Sequence, residues 1–92
     1  MPELCRFKGM IIRIYAEDDL RHHKPHVHVK YGEDEISLSL DGEVIAGKMP
    51  AKNIRLVQLW LTLRADEVRT AWDRIVNDMP PGKIEPLKWE EL

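Results

Sequence analysis

All four histidines of the chain, His22, His23, His26 and His28, fall in one short segment running from Arg21 to Tyr31. Imidazole changes charge near neutral pH and is the commonest metal ligand, so this segment is where chemistry is expected. His26 and His28 alternate with Val27 and Val29. On a strand that spacing projects both rings from one face, with Cβ atoms about 6–7 Å apart. Three functions follow from such a pair. The first is metal binding: His26 and His28 form a two-point chelate for zinc or another divalent metal. Such a site needs at least one more ligand, supplied by His22 first, or by His23 or a carboxylate from Glu17, Asp18 or Asp19. The second is metal-free catalysis, with His26 and His28 as acid and base, as in a ribonuclease or other hydrolase. Arg13 or Lys30 would then stabilise developing phosphate charge, and Arg21 and Lys24 would hold the backbone. The third is recognition, by a face bearing His22, His23, Arg13, Lys30 and Tyr15 beside the pair. Against all three stands a purely structural role, in which the histidines fix the loop before the strand.

The elements that position this segment can be read from periodicity. The first half of the chain has strand character. In Met10-Ile11-Ile12-Arg13-Ile14-Tyr15, alternate residues face opposite ways. His26 to Tyr31 alternates with Val27, Val29 and Tyr31 inward and His26, His28 and Lys30 outward. Gly32-Glu33-Asp34 is a turn, Ile36 to Leu40 alternates again, and Asp41-Gly42 is a hairpin signal before a fourth strand from Glu43 to Ala46. Gly47 to Pro50 ends the sheet. Helix periodicity then runs over about 51–64, with a broad apolar surface around Ile54, Val57, Trp60 and Leu61. A break at Arg64-Ala65 precedes a second helix over about 66–78, with Val68, Ala71, Trp72, Ile75 and Val76 on one face. Asp66 and Glu67 suit its first turn, and Pro80-Pro81-Gly82 ends it. Lys83 to Leu87 reads as an extended tail, either a short fifth strand at an edge or a segment across the sheet, Pro86 excluding a central place. The predicted architecture is a single α+β domain over residues 1–92. An antiparallel four-stranded meander lies within 10–46, covered on one face by two helices.

A 92-residue chain with 43% hydrophobic and 33% charged residues has the composition of an ordinary globular protein. Its net charge of −2 is unevenly spread. Residues 31–50 carry five acidic side chains and one basic, whereas residues 52–76 carry five basic and three acidic. No basic tract announces nucleic-acid binding, although a local basic face remains compatible with it. The single cysteine, Cys5, excludes an internal disulfide and suits a reducing compartment; it reads as a small packed side chain, with a nucleophile as the alternative, which would need a base placed beside it. No apolar run approaches the ~20 residues that cross a bilayer. With no signal-peptide pattern, the expected location is the cytoplasm, without membrane association. So small a core favours a homodimer. Trp60 and Trp72 read as core residues, and Trp89 as a packing anchor or part of a disordered tail.

Taken together, several blocks resemble the small bacterial domain-of-unknown-function family numbered 4160. They are Arg6-Phe7-Lys8-Gly9-Met10-Ile11-Ile12, then His22-His23-Lys24-Pro25-His26-Val27-His28-Val29 with Tyr31-Gly32, then Asp41-Gly42-Glu43-Val44 with Gly47 and Pro50. Trp60, Trp72 and Lys83-Ile84-Glu85-Pro86-Leu87 complete the resemblance. The chain departs from it twice, with Lys24-Pro25 where many members carry two prolines and Ala71 where many carry Asn. The resemblance implies a compact prokaryotic cytoplasmic protein, often encoded beside another small domain of unknown function, an arrangement like toxin–antitoxin or small regulatory pairs. The function expected is a binding or regulatory module that pairs with the adjacent gene's protein product. The alternative is a histidine-based hydrolase or ribonuclease toxin, with or without metal.

Overall fold

The computed structural model describes residues 2–15 and 24–92. Among the described residues, five strands form one antiparallel sheet in sequence order. They are β1 (Glu3–Phe7), β2 (Met10–Arg13), β3 (His26–Tyr31), β4 (Asp34–Ser39) and β5 (Val44–Lys48). Two helices follow, α1 (Ala51–Leu63) and α2 (Ala65–Val76), and a short 3-10 turn spans Trp89–Glu91. The α+β class with one meander and two helices is as expected, but the strand count needs correction. The fifth strand is N-terminal, not C-terminal. Glu3–Phe7 pairs with β2 through a two-residue turn, Lys8-Gly9, in which both residues have positive φ (51° and 78°). That is the turn type whose twist suits a tight hairpin. Residues 83–87 form no strand; their tie to the sheet is the Ile84 amide donating to the Leu4 carbonyl at 2.8 Å. The sheet also runs on through Gly47 to Lys48, past the stop expected at Gly47.

One sheet face carries the core. Met10, Ile12, Ile14, Val27, Val29, Ile36 and Leu38 are buried there with Val57, Trp60 and Leu61 of α1 and Val68, Ala71, Trp72 and Ile75 of α2. Burying these side chains removes about 1.5–3 kcal/mol of unfavourable hydration each. Pairings across the central strands are regular. Ile12 faces Val29, and Val29 faces Ile36, because the two-residue Gly32-Glu33 turn sets the β3–β4 register from Tyr31 opposite Asp34 to His26 opposite Ser39. Between β4 and β5 the register shifts, Ile45 being the extra residue of a bulge. Gly47 has φ +85°, and a Cβ built there would run into the Glu35 carbonyl. No other residue type fits that approach.

α1 starts after Pro50, and a single residue, Arg64 (φ −112°, ψ 23°), separates it from α2. Asp66 and Glu67 lie in the first turn of α2 and Arg74 in its last, matching the helix dipole. α2 closes with Asp78 left-handed (φ 59°), the Met79 amide donating to Arg74 O and the Asp78 amide to Ile75 O. The chain then returns along α1, where Arg64 and Trp60 hold it. Trp60 Nε1 donates to Glu85 O at 2.8 Å, Arg64 Nε to Glu85 O at 3.1 Å and Arg64 Nη2 to Pro86 O at 2.8 Å. Trp89 is 84% exposed, so it is neither an anchor nor packed. No described helix is long and apolar enough to cross a membrane.

Candidate functional site

The hairpin registers build one polar row across the middle of the sheet. Arg13 on β2 stands opposite His28 on β3, His28 opposite Ser37 on β4, and Ser37 opposite Ala46 on β5. By strand alternation this row lies on the face away from the core. His28 is half-buried, its ring 4.4 Å from that of Tyr15 in an edge-on contact. A hydrogen bond of 3.2 Å joins Ser37 Oγ and His28 Nδ1; the hydroxyl can serve as donor or acceptor in it.

His26 and His28 are brought together, their ring centroids 5.1 Å apart. Both rings are expected on the outward face of the strand, and His26 is covered there. It is 9% exposed, because the Trp72 ring of α2 reaches it at 5.4 Å. The helical layer thus meets the histidine pair at the end of the sheet where β3 begins. His26 Nδ1 lies 2.8 Å from Lys24 O. A carbonyl only accepts, so Nδ1 carries the proton, and the neutral ring's lone pair is on Nε2. Orientation of an imidazole by a backbone carbonyl is the arrangement by which proteins set a histidine's tautomer.

Lys30 is exposed further along β3, opposite Glu35. Lys24 reaches Glu43 at 3.8 Å and Asp41 at 4.0 Å across the β4–β5 turn, weak solvent-exposed pairs. Lys24, His26, Ser37 and the bulge residue Ile45 line a cavity of about 190 Å³. Ile45 is 49% exposed, beside Val44 at the outer edge of the sheet.

His22, His23, Glu17, Asp18, Asp19 and Arg21, the sources of a third metal ligand and of backbone contacts, lie outside the described residues. Among the described residues no group of three His, Cys, Asp or Glu side chains is placed to hold a metal ion. Sequence reasoning missed Ser37. Its signal was present: once Gly32-Glu33 is taken as a two-residue turn, the register sets Ser37 opposite His28. It also missed the tail-holding role of Arg64, which reads from sequence as a mere helix break.

Cys5 is buried, and burial pushes its thiol up to about 11. It is a packed side chain with no thiolate chemistry at neutral pH.

No curated protein and no solved structure matches the chain. The model of one family, described as Domain of unknown function (DUF4160), matches residues 9–73. That segment holds β2 to β5, the whole histidine row, α1 and most of α2, and leaves out β1 and the tail held by Arg64. With more than half of its length matched, from the β1–β2 turn to beyond Trp72, the chain belongs to the DUF4160 family.

Proposed function

We propose that the chain is a protein-binding module of a paired gene system, and that its partner seats on the sheet face around His26, His28 and Ser37. The observation that carries this reading is the size and lining of the cavity at His26. At about 190 Å³ it is below the roughly 300–1,000 Å³ of pockets that enclose a small molecule or cofactor. It suits one inserted side chain. Its lining joins hydrogen-bonding groups, Ser37 and Lys24, to the exposed apolar Ile45. An apolar anchor with a polar surround is the usual composition of an interface centre.

The test is co-expression with the product of the adjacent gene. A stable complex is expected, weakened by Ile45→Asp and by Arg13→Ala with His28→Ala, in variants that keep the wild-type circular dichroism. A wild-type chain that elutes alone, or a complex indifferent to those substitutions, refutes the reading. Sedimentation of the isolated chain reports whether a second copy occupies the same face.

A second reading rests on the Ser37–His28 hydrogen bond with Arg13 alongside, a hydroxyl, an imidazole and a cation in one row. It is the arrangement a hydrolase acting on phosphodiesters would use. RNA cleavage by the wild type, lost in His28→Ala, is the outcome that reading requires.

A further inference from the structure

A larger cavity, of about 570 Å³, lies beside α1 at the far end of β3 from His26. Tyr31, Leu56, Leu59 and Leu92 give it apolar walls, and the buried Asn53 adds one amide. Leu56, Leu59 and the 43% exposed Leu63 recur at i, i+3 and i+7, so an apolar stripe runs from the cavity along α1. Lys8, Lys52 and Arg55 complete the lining with three exposed cations, none of which forms an ion pair among the described residues. An apolar groove edged by unpaired positive charge fits an apolar side chain with a carboxylate beside it.

The same chain presents such a group. Trp89 is 84% exposed, more than any other large hydrophobic side chain among the described residues. It stands on the 3-10 turn Trp89–Glu91, which Glu91 fastens at both ends. The Glu91 carboxylate accepts from the Lys88 amide at 2.7 Å and from the Arg64 guanidinium at 2.7 and 2.9 Å. The backbone that carries the indole is therefore ordered before any partner arrives, which lowers the entropy that association costs. Glu90, next to it, is exposed and forms no ion pair among the described residues. Leu92, three residues past Trp89 and about 6 Å on at a 3-10 rise, already belongs to the cavity wall. The projecting indole and the cavity thus adjoin one another, as a twofold axis requires if it is to exchange them between copies.

We infer that two copies of this chain pair through this surface. Each seats Trp89 in the other's cavity against Tyr31, Leu56 and Leu59, with Glu90 beside Lys52 and Arg55. A second copy is the occupant the charges favour, because one chain carries both the cationic rim and the acidic projection. Two indoles of roughly 150–250 Å² each cover a matching area of groove, roughly 600–1,000 Å² in all. The exposed Leu63 and Leu92 of both copies bring the total towards the roughly 1,200 Å² of a specific interface. This surface is separate from the histidine row and stands or falls independently of the partner proposed there.

Sedimentation equilibrium of the full chain tests the pairing. The wild type is expected to dimerise as its concentration rises. The tail variant Trp89→Ala, Glu90→Ala and the rim variant Lys52→Glu, Arg55→Glu alter only exposed positions. Each is expected to dimerise at least about tenfold more weakly. An equimolar mixture of the two should associate more tightly than either alone, because the mixed pair keeps one intact contact, the rim variant's Trp89 in the tail variant's cavity. The pairing is overturned if the wild type stays monomeric at millimolar concentration, if the tail variant dimerises as the wild type does, or if the mixture associates no better than its components. A monomeric wild type whose tail variant loses its complex with the adjacent gene's product also overturns it, the occupant then being a different protein.

Discussion

Arg64 and Glu91 form a forked ion pair, Nη2 to Oε1 at 2.7 Å and Nη1 to Oε2 at 2.9 Å. The same guanidinium holds the Glu85 and Pro86 carbonyls, so one side chain at the helix junction fastens the returning tail over Trp60. Arg64→Ala leaves the Pro86 carbonyl without its donor and Glu85 O with Trp60 Nε1 alone, and should cost about 2 kcal/mol in urea unfolding. Arg64→Lys should recover little of it, because an ammonium cannot span a carboxylate and two carbonyls as a planar fork does.

The same pair sets an acid limit. The Arg64 guanidinium and the Lys88 backbone amide hold the Glu91 carboxyl down at about 2, against 4.5 for an ordinary glutamate. A depressed folded pKa means the unfolded chain binds the proton more readily. The pair's contribution is therefore complete above about 4.5 and is lost as pH falls toward 2. Stability measured across that window should decline with acid, and Glu91→Gln should flatten the decline.

Gly47 and Gly32 both have positive φ, but their surroundings differ. Gly32 has open space, so Gly32→Ala should cost about 1–2 kcal/mol from the left-handed backbone alone. Gly47→Ala adds a clash with the Glu35 carbonyl and should cost clearly more, about 3 kcal/mol or above. Chemical denaturation of the two variants side by side reads the difference.

Cys5 is 4% exposed and its thiol is pushed up to about 11. The native protein should react slowly with a disulfide reagent at pH 8, and the denatured chain at the rate of a free thiol. Fast native labelling would contradict the burial.

Replacing the two central histidines should have unequal effects. His26→Ala removes a ring packed against Trp72 and is expected to cost about 1–2 kcal/mol and to change the near-ultraviolet spectrum. His28→Ala touches a half-buried ring and should cost under about 1 kcal/mol. That makes His28→Ala the cleaner probe of function.

What the sequence conveyed follows from which interactions are local. The His-Val alternation in β3 and the helical spacing of Val68, Ala71, Trp72 and Ile75 report burial on a single face, and burial on one face is periodic. β1 escaped because its register shifts between Glu3 and Cys5, so Leu4 and Cys5 are both buried and the alternation breaks. The covering of His26 escaped because it depends on Trp72, forty-six positions away in the chain (26 to 72). Arg64 gave no local sign of its partner Glu91, since an arginine between two helices is ordinary until the tail folds back. The burial of Asn53 has no local sign in the sequence; only the packed chain shows its carbonyl oxygen enclosed.

The contact between Trp72 and His26 gives the molecule a natural optical reporter. An indole's emission responds to the imidazole beside it, so an event at the histidine row registers in a fluorophore rooted in α2. With Trp60 and Trp89 replaced by phenylalanine, the remaining emission comes from Trp72 alone. Occupancy of the sheet face can then be followed in solution without any attached dye.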